Sequence, residues 1–105
     1  MSQPSDNPSH YRVVYSERVR QELRRLLDQA NARGLGRQFL DAVKQIDSRL
    51  SIYPQFGEPL RDLQTEGETL WIGTIPPLTV QYLVDETRRL VFIVVPLVPL
   101  PNSGL

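Results

Sequence analysis

The sequence predicts an α+β fold in which a helical hairpin packs on one face of a small, mainly antiparallel four-stranded sheet. One β-rich segment comes first, two amphipathic helical stripes follow it, and three β-rich segments complete the order β-α-α-β-β-β. Consecutive strands near the C-terminus indicate a meander, and the first strand must join it because a lone strand is unstable. The 105 residues suffice for one domain with a modest core.

The first strand and helix are expected to meet at Ser16. Residues 11–15 are β-branched or aromatic, which is typical of a strand. Ser16 fits the N-cap of a helix, and Glu17 would oppose the positive end of the helix dipole. The apolar positions then recur at helical spacing, at Val19, Leu23, Leu26, Leu27 and Ala30. Gly34 and Gly36 break the pattern and predict the link to a second helix.

The second helix is predicted from another apolar stripe and is followed by a loop and three strands. The stripe comprises Phe39, Ala42, Val43, Ile46 and Leu50, and Tyr53 could extend it. Pro54 stops the helix by the preceding residue. The strands are expected at 70–75, 78–84 and 89–95, the last two joined by a turn at 85–88. Later prolines cannot donate to a ladder, so pairing should end near Val95.

The amino-acid composition excludes several classes of functional site and suggests a cellular compartment. The chain has no cysteine, which excludes disulfides, cysteine-based metal sites and thiol catalysis. We expect no cofactor, no metal and no membrane span, and a cytoplasmic location. Twelve basic and twelve acidic residues balance, so no global field attracts nucleic acid. We divide the chain into a disordered tail (1–9), the domain (10–97) and a proline-containing C-terminal tail (98–105).

Alternation along the strand at 78–84 predicts which side chains point to the helices and which point to the uncovered face of the sheet. Val80, Tyr82 and Val84 form the more apolar set and should pack on the helices. Thr79 and Gln81 then belong to the uncovered face, where a ligand or partner would bind. These two side chains are the first candidate binding residues.

Trp71 is a further candidate binding residue, and its side of the sheet depends on register. It joins Thr79 and Gln81 if Leu70 and Ile72 point to the core, and it is a core residue if the register is shifted. An exposed Trp is typical of interface hot spots. An indole, a hydroxyl and an amide can bind a partner, but none is a general base near neutral pH.

Three segments resemble the RelE/ParE superfamily, the toxins of bacterial type II toxin–antitoxin systems, which include plasmid stabilisation proteins. The string "YRVVYSERVRQELRRL" resembles the opening strand and Ser-capped helix of that family. "FLDAVKQIDSRLSIYPQFGEPLRDL" is similar to its second helix and the loop after it. "VQYLVDETRRLVFIVV" resembles its closing hairpin. The resemblance covers residues 10–97 and implies the same fold.

The same resemblance leaves enzymatic activity open. Ribonuclease members carry a basic residue where Thr79 stands and often an Arg near the position of Trp71. They often end with His-Arg or a Tyr, whereas this chain ends "VVPLVPLPNSGL". If the protein is an enzyme, the resemblance implies a ribosome-dependent endoribonuclease. Relatives that poison DNA gyrase lack these residues too.

Two other residues are candidates for catalysis or phosphate binding. Arg61 follows the Pro-Leu of the loop, where relatives often carry a basic residue, and could hold a phosphate or be a solvated loop side chain. Tyr82 could exchange a proton through its phenol, although its predicted side favours packing. On the first helix, Arg24 and Asp28 have the spacing of an ion pair.

Two functional hypotheses follow. The first is a growth-inhibiting toxin with a cognate antitoxin, acting on the ribosome and its mRNA or on a topoisomerase such as DNA gyrase. The second is a non-catalytic protein-binding module on the same scaffold, docking through the open sheet face around Trp71. The sequence leaves the oligomeric state open.

Overall fold

The computed structural model describes residues 10–60 and 69–105, and its two helices and four longer strands follow the predicted order. The helices are α1 (Glu17–Ala32) and α2 (Gly36–Ile52), and a 3₁₀ turn spans Pro54–Phe56. The strands are β1 (Arg12–Tyr15), β2 (Glu58–Pro59), β3 (Thr69–Ile75), β4 (Leu78–Asp85), β5 (Leu90–Ile93) and β6 (Val98–Pro99). The protein is therefore α+β, with two helices and a mainly antiparallel sheet.

Helix α1 begins where its N-cap was predicted. The Ser16 hydroxyl accepts a hydrogen bond from the backbone N–H of Val19 at 3.2 Å, which satisfies one donor of the first turn. Gly34 lies in the middle of the link between α1 and α2 with φ of +74°, a conformation that glycine adopts without strain. The ion pair recorded on α1 joins Arg25 to Glu22, instead of the expected pair of Arg24 with Asp28.

The sheet has the strand order β1-β5-β4-β3-β2, and β6 pairs separately with β4. β1 lies parallel to β5, whereas all the other recorded pairs are antiparallel. The predicted count of four strands is corrected to six, because the two-residue strands β2 and β6 also pair. Such short pairings lack a periodic pattern, so alternation could not reveal them.

The core lies between the two helices and one face of the sheet. Its buried side chains come from the apolar stripe of each helix and from the inward positions of the long strands. Val80, Tyr82 and Val84 are at most 2 % exposed, which confirms their predicted direction toward the helices. Each strand of the meander therefore has one face sealed by helices and a second face that could carry a site.

The C-terminal residues pack on the domain, so β-pairing does not end at Val95. Leu97 is a core residue, and Val98 pairs with Thr79 of β4. Leu105 packs against the core cluster, and the Arg33 side chain donates to the Gly104 carbonyl oxygen at 2.7 Å. Across residues 10–60 and 69–105, neither helix is both long enough and apolar enough to cross a membrane.

Candidate functional site

The turn between β3 and β4 determines which side chains share a face of the sheet. Pro76 and Pro77 are joined by a cis peptide bond and form a two-residue connection, which places Ile75 opposite Leu78. Residues directly opposite each other in an antiparallel pair point to the same side. Every later pair in this hairpin follows from that first one, because a two-residue turn leaves a single register.

This register overturns the arrangement in which Trp71 shares a face with Thr79 and Gln81. Trp71 lies opposite Tyr82, which is fully buried beneath the helices. The indole is half-buried and packs against the core cluster. Ile72, opposite Gln81, occupies the other face in its place. Of the two registers that the sequence left open, the structure has the one that turns Trp71 to the core, and a shift of one residue reverses the direction of every side chain in a strand.

We call the side away from the core the open face. Its members on the four long strands are Arg12, Val14, Leu70, Ile72, Thr74, Thr79, Gln81, Leu83, Asp85, Leu90 and Phe92. None of its apolar side chains belongs to the core cluster or packs against it. Thr79 and Gln81 lie here as the alternation of β4 predicted, Thr79 half-buried and Gln81 exposed.

An apolar row crosses the middle of the open face. Leu70 pairs with Leu83, Leu83 with Phe92, and Phe92 with Val14, so one row crosses β3, β4, β5 and β1 in turn. All four side chains are half-buried. We call this set the apolar row. Cross-strand neighbours of this kind form a continuous hydrophobic strip about 15 Å wide, given the spacing of strands.

Polar groups border the apolar row on one side. Ile72 lies beside Gln81, and Thr74 lies beside Thr79, which in turn pairs with Val98 of β6. Thr74, Gln81 and Val98 are exposed. Two hydroxyls and one amide here can donate or accept hydrogen bonds while the neighbouring apolar row excludes water.

Charged groups border the apolar row on the opposite side. Arg12 pairs with Leu90, and Leu90 pairs with Asp85 at the end of β4. Asp85 is only 8 % exposed, and its Oδ1 accepts the backbone N–H of Arg88 at 3.0 Å. The carboxylate therefore stabilises the β4–β5 turn by accepting this hydrogen bond. Arg12 is exposed and places a cation at one corner of the open face.

Tyr82 lies on the helix side of the sheet, inside the core. Its hydroxyl donates to the carbonyl oxygen of Pro54 at 2.6 Å, and its ring stacks on Phe56 with centroids 6.0 Å apart. Burial raises the pKa of Tyr82 to about 12, and the backbone of Gly57 partly opposes that shift. This position supports a packing role, because the phenol has neither the exposure nor the pKa suited to proton exchange near neutral pH.

Arg61 lies outside the described residues, so its candidate role in phosphate binding stays a prediction. Among residues 10–60 and 69–105, no group of three or more His, Asp or Glu side chains is placed to hold a metal ion. The binding chemistry of the described open face therefore comes from its apolar row, its hydroxyls, its amide and the Arg12 cation at its corner.

Sequence reasoning missed the apolar row, although one local signal pointed to it. The strand expectations at 70–75 and 78–84 leave two residues, Pro76 and Pro77, between them. A two-residue connection sets Ile75 opposite Leu78, and from there Trp71 opposite Tyr82. The contribution of β1 had no such signal, because its partner β5 lies far away in the chain.

The open face has the composition of a docking surface for a protein, with an apolar centre and a polar border. Comparison with known sequences adds no identity to this geometry: no family model matches the chain, and no curated protein matches it.

Proposed function

We propose that the protein is a RelE/ParE-like toxin of a type II toxin–antitoxin system, which inhibits growth by binding the ribosome with its mRNA or a topoisomerase. The observation that carries this proposal is the element order β-α-α-β-β-β with β1 parallel to the last long strand, β5. The three strings that resemble the superfamily coincide with β1–α1, with α2 and the turn after it, and with β4–β5.

The chemistry of the open face favours binding over RNA cleavage as the basis of toxicity. Ribonuclease relatives place basic groups near positions 71 and 79. Here Trp71 turns to the core, and the one charged open-face residue of β3 and β4 is Asp85, whose carboxylate accepts the backbone N–H of Arg88 in the β4–β5 turn. A surface of this kind gains free energy by removing apolar area from water. It has no group on β3 or β4 that would stabilise a phosphorane.

A cognate antitoxin and a cytoplasmic location belong to the same proposal. A toxin that acts on the ribosome or a topoisomerase must be neutralised in the compartment of its target. The antitoxin would cover the apolar row with a helix or strand and so compete with the target. A small antitoxin-like reading frame directly beside the gene is the expected genomic observation.

Controlled expression of the chain alone in a bacterial host tests the proposal. We expect growth arrest with the wild type and relief of arrest by Ile72→Asp, which places a charge beside the apolar row. Arg24→Asp is the matched control, because Arg24 is exposed on α1 and should leave toxicity intact. Normal growth with soluble, folded wild-type protein contradicts the proposal.

A second measurement separates the two targets. Arrest through the ribosome should lower amino-acid incorporation within minutes and leave plasmid supercoiling unchanged. Arrest through a topoisomerase should change supercoiling first. If the ribosome is the target, intact mRNA in arrested cells would indicate binding without cleavage, and cut mRNA lost on Arg61→Ala would instead assign a catalytic role to Arg61.

The alternative function is a non-catalytic binding module that docks through the open face. The apolar row favours it, since an uncharged strip across four strands suits a protein partner. The proposed centre of the docking surface is therefore the apolar row and not Trp71, which the sequence had suggested. Affinity capture with Leu83→Asp, compared with Arg24→Asp, tests it in an expressing strain that grows normally. The same specific partner recovered at equal yield by both variants contradicts docking through the row.

A further inference from the structure

A second surface lies along the solvent side of α2, away from the open face. Two adjoining cavities of about 400 and 350 Å³ lie on it and share Gln45 as a lining residue. The α2 residues that line them recur at helical spacing from Gln38 to Ile52, a distance of about 21 Å along the helix axis. We call this stripe with its two cavities the α2 groove. The Pro76–Pro77 turn forms the wall of its first half.

The second half of the α2 groove carries exposed apolar side chains. Ile52 is 59 % exposed and Tyr53 is 58 % exposed, the two highest values among the large hydrophobic residues of the described chain. Both line the same cavity. Exposed large side chains beside a cavity are typical of a surface that another chain covers, and Tyr is among the residues enriched in interface hot spots.

The α2 groove has one charge of each sign, and neither forms an ion pair recorded within residues 10–60 and 69–105. Asp41 lines the first cavity, and Arg49 lines the second. The Arg49 guanidinium lies 5.9 Å from the centroid of the Phe56 ring, which holds it in position without neutralising it. Eight residues separate the two charges, about 12 Å along the axis.

A chain that binds in the α2 groove must form the hydrogen bonds of its backbone N–H and C=O groups within itself. The middle of a helix offers no free backbone donors or acceptors, since its N–H and C=O groups bond within the helix. An extended peptide laid along α2 would therefore leave part of its own backbone unpaired, whereas a helix pairs its backbone internally. Two cavities in line also suit side chains that recur every three or four residues on one helix face.

We propose that the α2 groove binds an amphipathic helix of another protein, antiparallel to α2, with an acidic residue near its start to pair with Arg49 and a basic residue about two turns later to pair with Asp41. The antiparallel direction also places the acidic residue at the positive end of the partner's dipole and the basic residue toward its negative end. Apolar side chains in the first turn of the partner helix, beside its acidic residue, pack on Ile52 and Tyr53, which follow Arg49 in the chain. The inference does not depend on toxin activity, because it concerns a different surface.

Two synthetic helical peptides of equal composition provide the test. The first has Leu residues at helical spacing, one Glu in its first turn and one Lys seven residues later, and the second exchanges the Glu and the Lys. Dissociation constants come from chemical-shift titrations of the ¹⁵N-labelled full chain. We expect the first peptide to bind about tenfold tighter, since two favourable ion pairs replace two unfavourable contacts. Shift changes should centre on Gln45, Ile52 and Tyr53.

Reversal of the two groove charges, at Asp41 and Arg49, tests whether the peptide preference arises from these residues. The double variant Asp41→Lys, Arg49→Glu should prefer the second peptide, whereas Arg24→Glu on α1 should retain the wild-type preference. Ile52→Ser should weaken both peptides and is expected to fold, because that side chain is largely exposed. Equal affinities for the two peptides, shift changes away from the α2 groove, or no binding at millimolar peptide would overturn the proposal.

Discussion

At the scale of single residues, the turn after α2 depends on a glycine that leaves room for Tyr82. Gly57 lies against β3 and against the Tyr82 hydroxyl, which also donates to Pro54. A Cβ at position 57 would lie 2.7 Å from the Tyr82 oxygen and 2.9 Å from the carbonyl carbon of Ile72. Both distances are shorter than atoms tolerate, so the small side chain is a steric requirement here.

Gly57→Ala should therefore lower the free energy of unfolding by about 1–3 kcal/mol, in the range of overpacked sites. The backbone of β3 cannot retreat, because the Ile72 residue is held in the ladder with β4. Urea denaturation of the variant and of Glu58→Ala, an exposed neighbour, measures the difference. A Gly57→Ala protein as stable as the wild type would show that the turn can move away from β3.

The Tyr82 hydroxyl should contribute to stability in a way that depends on pH. Because burial raises its pKa to about 12, the fold favours the neutral phenol over the phenolate. An unfolded tyrosine titrates near pH 10. The stabilisation is therefore complete below about pH 10 and is lost as the pH rises toward about 12.

Tyr82→Phe should cost about 1–2 kcal/mol at neutral pH, because the Pro54 carbonyl loses its buried donor. The variant should also lose less stability than the wild type between pH 10 and 12. Tyr15 retains part of this dependence, since burial and its bond to Asp47 raise its pKa as well. Denaturant midpoints at pH 7, 10 and 11.5 measure both effects, and identical pH profiles would contradict this role for Tyr82.

At the scale of elements, local signals predicted the starts and stops of the helices well. The Ser16 cap and the Pro54 stop both coincide with the boundaries of α1 and α2. These signals act over three or four residues, which is why a sequence reveals them. The pairing register of two strands is harder to predict from the sequence, because the residues that determine it can lie far apart in the chain. For Trp71 the phase follows from the two-residue turn at Pro76–Pro77, which the alternation within β3 alone does not reveal.

Ser16→Ala should lower the free energy of unfolding by about 1 kcal/mol, because the Val19 N–H loses its side-chain acceptor. Ser16→Asp should keep most of the stability, since a carboxylate caps the helix and favours its positive end. Ser48→Ala is the control, because Ser48 is exposed within α2 and alanine has the higher helix propensity. Equal losses for Ser16→Ala and Ser48→Ala would show that the cap contributes nothing.

At the scale of the whole molecule, the two sides of the sheet have separate roles. Helices seal one side, while the opposite side presents the apolar row beside uncharged polar groups. The C-terminal residues join the sealed side, where Leu97 is buried and Leu105 packs on the core cluster. The last residue of the segment interpreted as a proline-containing tail, Leu105, thus packs against the hydrophobic core.

Removal of residues 100–105 should lower the free energy of unfolding by about 2 kcal/mol, because it exposes the apolar area that Leu105 covers. It also removes the hydrogen bond from Arg33 to Gly104 and the one from Leu100 N–H to the Pro77 carbonyl. Thermal unfolding of the shortened chain, with Val98→Ser as an exposed control, measures the loss. An unchanged midpoint would mean that the segment is dispensable.

The sequence alone was enough to predict the two helices and the four longer strands, their order, the cap of α1 and the direction of the β4 side chains, because each follows from contacts within one turn or one strand. The tertiary structure was needed to reveal that Trp71 faces the core and that residues 98–105 pack on the domain. It was also needed to show that one apolar row is formed by Leu70, Leu83, Phe92 and Val14. Those features depend on how separate segments pair, and a period of two within a strand carries no information about its neighbour's phase.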